Sequence, residues 1–359
     1  MSPATPAPVR IGIVGDVMLG RRVGERAGRD GAAAVTARVD ELLAGPDIVC
    51  GNLEAPFSSR PASPSCLSAD PSAVVALRRV HAVSLANNHM GDCGDDGVAE
   101  TLKTLRAAGI AAFGIGRDEE EALAPVVLEP GGLRVALIGC CAAAQMPSGV
   151  SGHAFGALES AALPRAIAAA REAADVVVVH VHAGNEQVPY PPPSLRARLL
   201  ELAGAGADVV VTHHPHVVGG WERSGPALIW HGLGDFVFDG DTPARCRAGM
   251  LTVDAGRGGV TGFALVPTHM TDDLRVAPAP PAVAAAVEAG VERVRRALAE
   301  PDYAARYRRR FVGALARAQL DRVVVTYRRD GLSPAVRKGA RLALFAPSHA
   351  LRLVSGRFR

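Results

Sequence analysis

Apolar and polar positions follow two periods along this chain. Short runs rich in Val, Ile and Leu predict strands at residues 10–14, 48–50, 82–85, 110–115, 134–140, 176–182, 209–212, 228–230, 250–253 and 262–267. Between them, apolar residues at helical spacing predict helices over 32–43, 96–108 and 195–203, the second stopping at Gly109. A Pro-rich linker, 276–281, breaks the pattern. Ala- and Arg-rich helices follow at 282–299 and 303–320, then a last apolar stretch at 342–353. Strands alternating with helices predict a layered α/β core.

Polar clusters interrupt this pattern at equivalent places, just after strands: Asp16, Asn52 with Glu54, Asn88 with His89, His182, His213 with His214 and His216, and Asp235. In α/β proteins, sites form outside the carboxyl ends of strands. Buried polar residues without partners are costly, so the recurrence points to one shared site. His180 and His182 fall on one strand face by alternation. In Thr212-His213-His214-Pro215-His216 the proline stiffens the backbone between two imidazoles. Imidazole with Asp and Glu carboxylates and an Asn amide oxygen is a donor set suited to Mn, Fe or Zn.

Composition narrows the setting. Of 359 residues, 48% are hydrophobic, enough for a large core, but only 4% are aromatic, so aliphatic side chains must fill it. The six cysteines show no CxxC pairing, which fits reduced thiols in a cytoplasmic protein. The polar, Pro-rich start does not read as a secretion signal, and no long apolar run predicts a membrane span. From residue 291 onward, seventeen Lys and Arg face five Asp and Glu, leaving an acidic body and a basic tail able to contact an anionic partner. The Gly-rich start of the first strand has neither GxGxxG spacing nor a Walker lysine, so it does not predict a nucleotide loop, and no nucleic acid is expected.

The segments GIVGDVMLGR, DIVCGNLEAPFSS, VSLANNHMGDCGDDG, VVVHVHAGNEQ, GADVVVTHHPHVVGGWE and IWHGLGDFVFD fall in the order and spacing of CapA-type proteins, the poly-γ-glutamate capsule family whose domain is similar to calcineurin-like metallophosphoesterases. The resemblance implies a four-layer β-sandwich flanked by helices over residues 9–275, with a basic helical C-terminal region, 282–359. It implies a divalent metal, one or two ions of Mn, Fe or Zn, held by Asp16, Glu54, Asn88, His182, His214 and His216. His89 resembles the family's catalytic histidine. Met18 stands where metallophosphoesterases usually carry a ligating His, and Asp235 adds a carboxylate to the family's LGNF segment.

Two chemistries follow for such a site. One is hydrolysis of a phosphate-bearing or peptide-like substrate, with His89 as acid and Asp235 or Glu186 orienting it. The other is cofactor-independent peptide Cα epimerisation, with Asp16 and one of His89, His214 or His231 as opposed bases. Hydrolysis is slightly favoured. A poly-γ-glutamate biosynthesis protein or non-catalytic scaffold is the remaining reading. Tyr190 and the following prolines read as a rigid loop at the rim of the site, and Trp221 and Trp230 fit either the pocket wall or plain burial in the core.

Overall fold

The Val- and Ile-rich runs form strands in a computed structural model, which describes residues 8–60 and 66–330. The first part of the chain runs β1 (Val9–Val17), α1 (Arg21–Asp30), α2 (Asp40–Ala44), β2 (Ile48–Leu53), β3 (Ala82–Ser84), α3 (Gly94–Ala107), β4 (Ala111–Phe113) and β5 (Ile115–Gly116). Next come α4 (Glu119–Leu123), β6 (Val126–Leu128), β7 (Val135–Cys141), β8 (Ala154–Phe155), α5 (Leu163–Ala173), β9 (Val176–His182), α6 (Pro193–Gly204) and β10 (Val209–His213). The last part holds β11 (Trp221–Ser224), β12 (Ala227–Trp230), β13 (Asp235–Val237), β14 (Arg247–Gly256), β15 (Gly259–Met270), β16 (Val276–Pro278), α7 (Pro281–Leu298) and α8 (Tyr303–Asp330).

Two sheets stack face to face. One has the order β16-β15-β14-β1-β2-β3-β4, with β13 pairing β1 beyond the end of β14; the other has the order β11-β12-β10-β9-β7-β6. Their central strands are parallel, β1 to β4 in the first and β7, β9, β10 and β12 in the second. Both faces of such strands are covered, which explains their near-continuous apolar runs. Alternation decides which core each residue joins. Val176 and Val178 of β9 meet Ile11, Ile13 and Leu251 between the sheets, whereas Val177, Val179 and Val181 meet Ile167 and Leu199 of the outer helices. On the far side, Val23, Val98 and Leu105 pack on Val14, Val49 and Val83. Each fully buried Val or Leu contributes roughly 1.5–3 kcal/mol. The result is the expected four-layer α/β sandwich, helices outside and two sheets within.

Several local expectations need correction. Residues 32–43 are not one helix. They form two 3-10 turns, Ala32–Val35 and Ala37–Val39, before the short α2. Gly31 enters at φ 85°, and Thr36 breaks the run at φ −110°. The stretch 276–281 is not wholly linker, because β16 pairs β15 at the sheet edge, where a terminal proline is tolerated. The sheet thus runs past residue 275. Helices α1 and α5 were not anticipated. The apolar stretch 342–353 lies outside the described residues. Trp230 is buried between the sheets, its indole N–H donating to Gly232 O at 3.0 Å, and Trp221 packs edge-on against Phe263. Both belong to the core rather than to a pocket wall.

Candidate metal centre

Parallel pairing delivers the polar clusters to one end of the sandwich. Asp16 lies beside Asn52 of β2 and Asp235 of β13, and His182 of β9 lies beside His213 of β10. Because His180 and His182 continue the inward face of Val176 and Val178, they point between the sheets. After β10 the backbone turns sharply: His214 has φ 90° and His216 φ 57°. Non-glycine residues held in this region cost about 1–3 kcal/mol each and cluster at functional sites. The turn is fixed by His214 N–H donating to Asp16 Oδ2 at 3.2 Å and Gln187 N–H donating to Pro215 O at 2.7 Å.

The donor atoms of three overlapping groups lie within 4.8 Å of one another: Glu54, His214 and His216; Asp16, His216 and Asp235; and Asp16, Glu54 and His182. Asn88 joins them, with Oδ1 2.8 Å from His182 Nε2. All six residues expected to hold metal therefore converge. Asn52 ties the cluster together, its amide donating to Asp16 Oδ1 at 2.9 Å and to Glu54 Oε2 at 3.4 Å and standing 3.3 Å from His182 Nδ1. Asn87 donates to Asn52 Oδ1 at 3.1 Å and fixes its amide orientation.

Electrostatics show what the cluster lacks. Asp16, Glu54 and Asp235 are fully buried, and Arg245 Nε donates to Asp235 Oδ2 at 3.1 Å. Three carboxylates against one guanidinium leave two uncompensated negative charges, the charge of one divalent cation. Burial pushes the Glu54 carboxyl well above its ordinary range, with Asp16 and Asp235 adding to the rise against His216 and Arg245. Burial pulls His216 down, but Asp235, Glu54 and Asp16 outweigh it and raise the imidazole to about 10. Asp16 is held far below the usual carboxylate range: burial opposes this, but the hydrogen bond from His213 and the surrounding imidazoles outweigh it. Glu54 Oε1 and His214 Nδ1 are also buried without any hydrogen-bond partner. Orphaned acceptors of this kind need an explanation, and a cation supplies it. His216 gives Nδ1–H to Asp235 Oδ1 at 2.7 Å, leaving Nε2 3.5 Å from Glu54 Oε1, an arrangement that orients a ligating imidazole.

Other expected residues fall differently. His89 is partly exposed at the rim, and its Nδ1 lies 3.2 Å from Asp92 Oδ2. Its orienting carboxylate is therefore Asp92, three residues on, and not Asp235, which is engaged by His216 and Arg245; Glu186 is exposed. His231 is not brought to the cluster. Its Nε2 lies 2.9 Å from Glu222 Oε1 at the far edge of the second sheet. Burial raises Glu222, but hydrogen bonds from His231 and Arg196 outweigh it and hold the carboxyl at about 2. Sequence reasoning missed Arg245 and Asp92, and it offered His180 beside His182 as a source of imidazole, whereas the structure sets His180 behind His213 and outside the three groups. Strand alternation signalled His180; Arg245 lies in a loop without a pattern.

Residues 10–240 match the family described as Bacterial capsule synthesis protein PGA_cap. The chain is 32% identical over 248 residues to "Capsule biosynthesis protein CapA" of Bacillus anthracis, covering 63% of this chain and 59% of that protein. It is 30% identical over 243 residues to "PGA biosynthesis protein CapA" of Bacillus subtilis, covering 63% and 62%. The matched region thus spans about three fifths of these relatives. Among solved structures, a calcineurin-like phosphoesterase, YfkN from Bacillus subtilis, aligns with TM-score 0.46 at 13% identity, covering 80% of this chain and 99% of that one.

Proposed function

The chain belongs to the bacterial capsule synthesis protein PGA_cap family, and from that premise we propose that it is a metal-dependent hydrolase acting on a peptide-like, carboxylate-rich substrate of the poly-glutamate class. The names of its two relatives, which refer to capsule and PGA biosynthesis, support the substrate class. The convergence of Asp16, Glu54, Asn88, His182, His214 and His216 around orphaned acceptors supports the metal, and that single observation carries the reading. Manganese, iron and zinc all suit the mixed nitrogen and oxygen donors.

A divalent cation held there would supply Lewis-acid polarisation of a substrate oxygen and acidify water. The protein's own groups do the rest. With Nδ1–H held by Asp92, His89 leaves Nε2 free to take a proton from the attacking water and return it to the leaving group. Asp235 holds His216, and Asn52 holds Asp16 and Glu54. Asp235 is thus an orienting group in this reading.

The epimerase reading receives less support. It needs two opposed bases, but Asp16 is a weak base held far below its ordinary range, and His231 is occupied by Glu222. Incubating the metal-loaded protein with poly-γ-glutamate in heavy water, beside a phosphodiester, separates the outcomes. We expect shorter chains with new amine ends and no deuterium at Cα. Deuterated, uncut polymer would establish epimerisation, and phosphodiester cleavage alone would remove the peptide-like substrate.

A further inference from the structure

Behind Asp16 a second set of titratable groups runs inward, away from the rim. His213 Nδ1 lies 3.1 Å from Asp16 Oδ1, His213 Nε2 lies 3.0 Å from His180 Nδ1, and His180 Nε2 lies 3.4 Å from Cys50 Sγ. All four side chains are buried. The two imidazoles are stacked within 4° of parallel, 5.2 Å apart, and Phe113 closes the far side of His180 edge-on. None of His213, His180 and Cys50 belongs to the three metal-compatible groups described above.

We propose that Cys50, His180 and His213 form a one-way hydrogen-bonded chain that positions the Asp16 carboxylate for the cation; the role of the chain rests on the metal reading. The direction follows from bonding rules. An ionised carboxylate only accepts, so His213 must present Nδ1–H to Asp16. Its Nε2 is then an acceptor, which requires Nδ1–H on His180. The Nε2 of His180 is an acceptor in turn, and the Cys50 thiol supplies the last hydrogen. Every ring nitrogen is satisfied with both histidines neutral, which removes the cost of burying them between two apolar sheets.

The effect on Asp16 is geometric. Oδ1 accepts from both His213 and Asn52, whereas Oδ2 accepts from His214 N–H and stands 3.5 Å from His216 Nδ1. The chain thus occupies one oxygen and leaves the other turned toward the cluster. His213, His180 and Cys50 are positioning residues, since none reaches the rim where a substrate would bind.

Two measurements test this. Long-range proton–nitrogen correlation spectra of the nitrogen-labelled, metal-free protein read the tautomers directly. Nδ1–H on both His213 and His180 is expected; Nε2–H on either overturns the chain. Calorimetric titration with zinc or manganese then compares wild type with His213→Ala and His213→Asn. Outer partners of a ligand typically contribute about 10–100-fold in metal affinity, so His213→Ala should weaken binding by that order. His213→Asn, whose amide can still donate at the Nδ1 position, should recover most of it. Equal affinity in all three proteins overturns the positioning role. A wild-type protein with no metal affinity would sink the metal reading, and with it the role, while the tautomers would still decide whether the chain exists.

Discussion

Arg245 shows how narrowly the buried charges are balanced. Its guanidinium is 13% exposed and lies against Asp235, which is fully buried and also holds His216. Removing one partner of a buried pair leaves an uncompensated charge and costs about 3–5 kcal/mol. Arg245→Met should therefore destabilise the metal-free protein by about that amount in urea unfolding. A loss below roughly 1 kcal/mol, the range of exposed pairs, would mean that Asp235 finds another cation. At this scale the sequence was informative where side chain and strand end coincide. Asp16, Glu54, Asn88, His182, His214 and His216 were legible because each follows an apolar run. Arg245 and Asp92 were not, because loop geometry brings them in.

Among the elements, strand ends assemble the site, and a separate ion-paired group ties the second sheet's edge to α6. Glu222 on β11 accepts from Arg196 on α6 at 2.6 Å and lies 2.9 Å from His231 just past β12. Its carboxyl is held at about 2 against an ordinary value near 4.5. A depressed folded value means the stabilisation is fully present above the unfolded value and is lost as pH falls through the folded one. Between about pH 4.5 and 2 the protein should therefore lose stability through this group, and Glu222→Gln should flatten that limb of the pH profile. An unchanged limb would contradict the assignment. The elements best predicted from sequence were the buried parallel strands, whose runs have few polar interruptions. Residues 32–43 misled because their apolar spacing is met equally by successive 3-10 turns, and only Gly31 and Thr36 decide between them.

Across the whole molecule, the C-terminal helices are more than an appendage. They lie outside the family match, yet they hold the loop that follows β9. Tyr303 Oη donates to Pro191 O at 2.6 Å, Asn185 Nδ2 donates to Tyr307 Oη at 3.0 Å, and Arg196 donates to Leu298 O at 2.9 Å. The same loop carries Gln187, whose N–H donates to Pro215 O inside the histidine turn. Hydrogen bonds of this kind contribute about 1 kcal/mol each. The double variant Tyr303→Phe/Tyr307→Phe should thus raise amide exchange across residues 185–192 by about ten- to thirtyfold. Unchanged protection there would separate α7 and α8 from the site. Sequence patterning predicted both helices but gave no sign of this contact, because an Ala- and Arg-rich helix does not announce which face it buries. Among the described residues, no helix is long and apolar enough to cross a membrane.

The claim beneath all of this is that the buried cluster exists to hold a divalent cation. Calorimetric titration of chelator-stripped protein with zinc or manganese, repeated in buffers of different ionisation enthalpy, tests it most directly. Saturable binding with proton release is expected, because a cation competes with protons at Glu54 and His216, both raised above their ordinary range. This binding should disappear in the Glu54→Gln/His214→Ala double variant. Absence of saturable binding in the wild type, or binding indifferent to that double change, would contradict the claim.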